Sequence, residues 1–339
     1  MRFHRCAAGC RSCQAVSRRE FVATASASLA SVSLLGSWLG GNRLALADRI
    51  EPQGPAASCV PVVKACFVRR KGDYGMRWPG QVYDGEAARK KYCAEITTAA
   101  NRLKLQLDLR PEPLFDAQQA QAWIHQATTA KPNGLLVVLL DRQEHAWPTA
   151  NMAIDTKIPT VIFSPVGSSF TTNTTEPSKK MGCFICSTND FRQVEYGMKM
   201  LHAGAKMRAS RFLVIRGSKR ADIQMPHLGI QLRYIPAGDF LAEYQKTPVN
   251  EEALAMAADL IKNAKQQVGA TEQDVINGIK SFVVSRTLLE REQADAITMD
   301  CLGALGKSKV SLPCIAWSRM NDAGIPAACE ADLGAAATH

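Results

Sequence analysis

The sequence predicts an α/β protein: two tandem Rossmann-like units, each a doubly wound parallel sheet, followed by the start of a third, C-terminal region. Three observations lead there. Predominantly apolar runs at 60–68, 134–140 and 158–163 read as strands buried on both faces. Segments of helical apolar spacing separate them. The same succession begins again near residue 181. With 339 residues, 46% of them hydrophobic, the chain has room for about two domains and is not a disordered composition.

The order along the chain starts with an address. Residues 1–47 carry six Lys/Arg and a single acid, so half of the formal net charge of +10 sits there. A basic stretch leads into Ser17-Arg18-Arg19-Glu20-Phe21-Val22, then a mildly apolar Ala/Ser-rich run, then Ala45-Leu46-Ala47 as a small-x-small cleavage site. This is the pattern of a twin-arginine signal peptide, which implies a protein exported to the periplasm or secreted. The remaining charge is an ordinary solvated surface, so nucleic-acid binding is not expected. No apolar run beyond the first 45 residues is long enough to span a membrane.

A linker covers 48–59, and the first Rossmann-like domain is assigned to 60–170. It holds a strand at 60–68, a helix at 84–103 and a strand at 105–109. A helix at 115–130, strands at 134–140 and 158–163 and a polar loop at 164–180 complete it. The second domain is assigned to 171–295. Its strands are read at 181–187, 212–215 and 230–235. Phe191, Val194, Met198, Leu201 and Ala205 form a buried helical stripe. Asn250 is placed to cap the next helix, and Thr271-Glu272-Gln273-Asp274 reads as a capping box. A third pattern, at 296–299, 312–318 and 326–329, opens a C-terminal region over 296–339. The closing segment reads as a helix that stops early, as if the chain were truncated relative to a longer parent.

Three of the eleven cysteines (Cys6, Cys10, Cys13) fall in the signal segment. Cys183 and Cys186 have CxxC spacing, but in a strand alternate side chains face opposite ways. They are therefore expected as core thiols and not as a redox pair.

In parallel sheets, ligands bind outside the carboxyl ends of the strands. The polar residues there include Arg69, Arg70, the stretch from Asp141 to His145, Ser164, Arg216, Asp300, Glu330 and Asp332. There is no GxGxxG after the first strand, no Walker A loop and no GxSxG elbow. Glu330 and Asp332, two residues apart at a strand-to-helix turn, suit either of two roles. They can hold a hard divalent ion with Asp300 as a third acid, or they can cap the following helix. Trp78, in Arg77-Trp78-Pro79-Gly80, offers a flat apolar face of the kind that suits sugars, or it packs on the core.

Taken together, several segments resemble the L-fucose/L-arabinose isomerase-like superfamily. They are the first strand with its Arg69-Arg70 loop, Trp78-Pro79-Gly80, the 135–140 strand, and the stretches 183–208 and 211–217. The C-terminal runs 296–302, 313–316 and 324–333 resemble it too. The resemblance implies metal-dependent aldose–ketose isomerisation through an enediol. It implies a divalent ion, usually Mn²⁺, on Glu330, Asp332 and Asp300, with Glu330 or Asp332 as the catalytic base. Arg69, Trp78 and His145 would then bind the sugar or polyol, 296–339 would begin a C-terminal isomerase domain holding metal and substrate, and the full-length form would be a homo-oligomer. The family's metal-binding histidine has no counterpart up to His339, and export is unusual for such enzymes. A second reading is therefore carried alongside: an exported, non-catalytic sugar- or ligand-binding protein.

Overall fold

A strand whose every side chain is apolar, as in 134–139, has no face to give to solvent, and the first sheet is built around it. In the computed structural model, residues 50, 53–75, 82–165, 167–305, 308 and 310–338 are described. The expected signal segment 1–47, Trp78 and His339 lie outside them. A short helix α1 (Pro55–Ser58) leads to β1 (Val62–Val68), and β2 (Tyr74–Gly75) and β3 (Val82–Tyr83) pair as an antiparallel ribbon. There follow α2 (Gly85–Arg102), β4 (Gln106–Leu109), α3 (Ala117–Ala130), β5 (Gly134–Leu139), α4 (Gln143–Asp155), β6 (Thr160–Phe163), α5 (Thr171–Thr174), β7 (Cys183–Cys186) and α6 (Phe191–Ala209).

The first sheet has the order β4-β1-β5-β6-β7, all parallel. Every residue of β5 is buried. Both faces are covered, as continuous apolar strands require. On one face Tyr92 and Ile96 of α2 and Val194 and Met198 of α6 pack on Phe67 and Phe163. On the other, Trp123 of α3 and Trp147 of α4 pack on Cys66 and Ile162. A Cβ at Gly197 would come within 2.9 Å of Val161 and 3.1 Å of Phe184, so α6 can lie this close to the sheet only with glycine there.

The second sheet uses β8 (Arg211–Ile215), β9 (Ala221–Gln224), β10 (Gln231–Ile235), β11 (Ala296–Met299) and β12 (Ala327–Cys329). Its helices are α7 (Ala237–Lys246), α8 (Glu251–Asn263), α9 (Glu272–Glu292), α10 (Cys301–Leu305), α11 (Cys314–Asp322) and α12 (Leu333–Thr338). The order is β12-β11-β8-β10-β9, parallel except for β9. Leaving β9 aside, the parallel strands lie second, first, third, fourth by chain position. The first four strands of the first sheet lie in the same order. This is a doubly wound Rossmann-like arrangement repeated within one chain.

Local chemistry starts the helices where expected. Asp84 accepts the Ala87 N–H at 2.8 Å, Asp116 that of Gln119 at 2.8 Å, and Asn250 that of Ala253 at 2.9 Å. Thr271 and Asp274 form the reciprocal capping box. The Asp295 carboxylate accepts the N–H groups of Ala56 at 3.1 Å and Arg211 at 2.9 Å, which ties α1 to the start of β8.

The structure divides the elements differently from the sequence expectation. β7, expected to open the second unit at 171–295, pairs with β6 and closes the first sheet. β11 and β12, expected to start a third domain at 296–339, pair with β8 and with each other inside the second sheet. Apolar runs announce strands but not their partners, so pairing alone sets the boundary. The run 312–318 contains the start of helix α11 and no strand. Ala316, Trp317 and Met320 share its buried face, and Pro313 stands at its N-cap. Among the described residues, no helix is long and apolar enough to cross a membrane.

Candidate functional site at the carboxyl ends of the strands

In each sheet the connections leave in opposite directions from one point. In the first it lies between β1 and β5, in the second between β8 and β11. Ligands of doubly wound sheets bind in the crevice outside such a point. Both points carry an arginine facing an aspartate.

At the first, β1 runs out into Arg69 and Arg70, and β5 into Leu140 and Asp141. Asp141 is fully buried and Arg70 remains 38% exposed at its side chain. Arg70 donates from Nε to Asp141 Oδ2 at 2.7 Å and from Nη2 to Oδ1 at 2.9 Å. The Arg142 N–H adds a third bond to Oδ1 at 2.7 Å. The bond to Asp141 holds the Arg70 guanidinium above its ordinary range, against the opposing effect of burial. Below it, the Tyr74 ring lies 5.0 Å from the guanidinium, and the Tyr74 hydroxyl donates to the Leu140 carbonyl. Burial raises the Tyr74 phenol, so it stays protonated.

His145 stands one turn beyond Asp141, at the start of α4. Its Nε2 is 3.9 Å from Asp141 Oδ2, too far for a hydrogen bond, and that buried nitrogen has no hydrogen-bond partner among the described residues. Arg69 donates to Glu86 Oε2 at 3.0 Å and to the Arg70 carbonyl at 3.2 Å, yet its Nε is also buried without a partner. Buried polar atoms in that condition mark places where a ligand or water completes the network. Ser164 is not available for this: its hydroxyl pairs with that of Ser168 at 2.7 Å.

At the second point Arg216 Nε lies 3.6 Å from Asp300 Oδ2, with both side chains partly exposed. The pairing has the same placement but is looser.

The three expected metal ligands are used otherwise. Glu330 Oε1 accepts the Cys301 thiol at 2.9 Å and the Leu302 N–H at 3.3 Å. Asp300 Oδ1 accepts the Gly303 N–H at 3.2 Å, and Asp332 Oδ1 that of Ala335 at 2.9 Å. Each carboxylate thus serves the start of a short helix. Among the described residues, no three His, Cys, Asp or Glu side chains are grouped to hold a metal ion. These residues do not fit a Mn²⁺ centre, and no step through one is derived. Glu330 and Ala331 both take left-handed backbone, at φ +58° and +55°, an uncommon state for non-glycine residues.

Of the expected site residues, the structure brings Arg69 and His145 to one strand end, places Glu330, Asp332 and Asp300 at the other sheet, and leaves Trp78 undescribed. The central pair, Arg70 with Asp141, was visible in the sequence only as polar residues ending apolar runs. Cys183 and Cys186 do face opposite sides, Cys183 packing with the Trp123 cluster and Cys186 with the Phe67 cluster. Burial pushes their thiols up to about 11 and about 12. A separate open cleft of about 330 Å³, between Trp147 and Lys180, does not include Arg70 or Asp141.

No protein-family model matches the chain, and no curated protein matches it. Solved structures do. One is described as the XylFII molecule, with 12% identity over 71% of this chain and 79% of that one, TM-score 0.25. A second is GanP, a glucose-galactose binding protein from Geobacillus stearothermophilus, with 14% identity over 71% and 78%, TM-score 0.26. A third is a sugar ABC transporter (sugar-binding protein) from Bacillus halodurans, with 17% identity over 78% and 79%, TM-score 0.25. Two of these three are described as sugar-binding proteins and none as an isomerase. The expected kinship with L-fucose/L-arabinose isomerases is corrected accordingly, and with it the aldose–ketose isomerase reading.

Proposed function

We propose that this chain is an exported, non-catalytic binding protein for a small polyhydroxylated ligand of the sugar class. The ligand sits where β1 and β5 end. One observation carries this reading: the unpartnered His145 Nε2 stands beside the Arg70–Asp141 pair at the point where the first sheet changes direction. A sugar hydroxyl both donates and accepts. It can accept from the partly exposed Arg70 guanidinium and from protonated His145, or donate to the Nε2 of neutral His145. The bidentate pair fixes Arg70 before any ligand arrives, which lowers the ordering cost of binding. Export through the twin-arginine route rests on the Arg18-Arg19 segment and the Ala45-Leu46-Ala47 site.

The test is a calorimetric titration of the purified chain with a panel of aldoses, ketoses and polyols, with product analysis of the same mixtures. Saturable binding of at least one sugar, recovered unchanged, supports the reading. Absence of binding across the panel, or conversion of the bound sugar, refutes it.

A further inference from the structure

At the far end of the second sheet three cysteines that the ligand site does not use stand close together. β11 and β12 are parallel neighbours with Met299 opposite Cys329. Cys301, two residues past Met299, begins α10, and its thiol donates to Glu330 Oε1 at 2.9 Å. Glu330, the residue after Cys329, thus touches the Cys301 thiol, so the ends of β11 and β12 bring Cys301 and Cys329 to neighbouring positions, and the Cys329 thiol interacts electrostatically with those of Cys301 and Cys314. Cys301 is buried, whereas Cys314 and Cys329 are exposed.

We propose that Cys301 and Cys329 are a modification site, closing to a disulfide across β11 and β12 when the protein meets a small-molecule disulfide oxidant. The exposed thiol reacts first. Cys329, its proton lost to solvent, attacks the oxidant, forming a mixed disulfide and expelling one thiolate. Cys301 then gives its proton to the Glu330 carboxylate that already accepts it, attacks the Cys329 sulfur and expels the second thiolate. Two protein thiols are oxidised by two electrons, and one oxidant disulfide is reduced to two thiols. Cys301 is the resolving partner because it is sheltered from solvent and its thiol is held by the residue that follows Cys329. Burial, and the Glu330 carboxylate beside it, push the Cys301 thiol up to about 11, and burial raises that of Cys329. Closure is therefore slow at neutral pH and accelerates as pH rises. None of this depends on the ligand proposed above.

The sequence makes the test direct, because trypsin leaves each cysteine on its own peptide: Cys301 on 292–307, Cys314 on 310–319 and Cys329 on 320–339. The full chain is incubated with oxidised glutathione, free thiols are alkylated, and the digest is mapped without reduction. The expected result is a link between 292–307 and 320–339 that persists in Cys314→Ser and is lost in Cys329→Ser. A dominant link between 310–319 and 320–339 would overturn the assignment. So would a glutathione adduct on Cys329 with Cys301 still alkylated, or full alkylation of both. Should Cys329→Ser fail to fold, the map of the unsubstituted chain decides alone.

Discussion

Arg70 and Asp141 are joined by two hydrogen bonds, at 2.7 and 2.9 Å, across the point where β1 and β5 diverge. The aspartate is fully buried and depends on this partner and on one backbone N–H. Replacing Arg70 by Met leaves a buried carboxylate short of its partner. The expected cost is about 3 kcal/mol, at the low end for a broken buried pair because Arg70 is partly exposed. Urea denaturation measures it. The double variant Arg70→Met/Asp141→Asn should recover part of the loss, since no buried charge is then left unpaired.

Arg216 and Asp300 occupy the equivalent place in the second sheet, but at 3.6 Å and with Arg216 61% exposed. Solvent screens such a pair, so Arg216→Met should cost less than about 1 kcal/mol in the same assay. A loss as large as that of Arg70→Met would show that the two sheets rely on their pairs equally.

Glu292, at the end of α9, gives the acid limb of stability. Burial alone would raise its carboxyl. The Arg220 guanidinium at 2.6 Å and Arg291 at 3.3 Å outweigh that and hold it below its ordinary 4.5. A carboxylate depressed by folding contributes stability that is present above the unfolded value and lost as pH falls through the folded one. Glu292→Gln should therefore lower stability at pH 7 and flatten its fall below about pH 4.5. Chemical denaturation at a series of pH values reads both effects.

Cys183 and Cys186 should remain reduced under conditions that oxidise a true CxxC pair. Their side chains serve different faces of β7, and burial raises both thiols. Both sit on the tryptic peptide 181–192. Mass spectrometry of oxidised, denatured and alkylated protein should find that peptide carrying two alkyl groups. An internal disulfide there would contradict the geometry.

Much of the architecture was legible because burial on two faces writes a simple pattern. The 134–140 run could only be a central strand, and Phe191, Val194, Met198 and Leu201 could only be one helical face. Caps such as Asn250 and Thr271 were equally plain. Strand pairing was not legible. Nothing within Cys183–Cys186 says that it closes the first sheet, because register lies in the partner and not in the strand. The proposed site was half legible. Arg69 and His145 were chosen for their position after apolar runs. Asp141 became central only once β1 and β5 were seen side by side, since its partner Arg70 is 71 residues away. Glu330 and Asp332 were ambiguous for the opposite reason. Two acids at a strand-to-helix turn look the same whether they hold an ion or cap a helix. Only the bonds to Leu302 and Ala335 separate the two roles.

The central claim is that the first sheet binds a small polyhydroxylated ligand through the unpartnered nitrogen beside Arg70 and Asp141. Calorimetric titration of the unsubstituted chain and of His145→Ala with the sugar that binds best tests it most directly. Losing one hydrogen bond to the ligand should weaken affinity about tenfold, with unfolding stability nearly unchanged because His145 Nε2 makes no hydrogen bond among the described residues. Equal affinity in the two proteins would contradict the account.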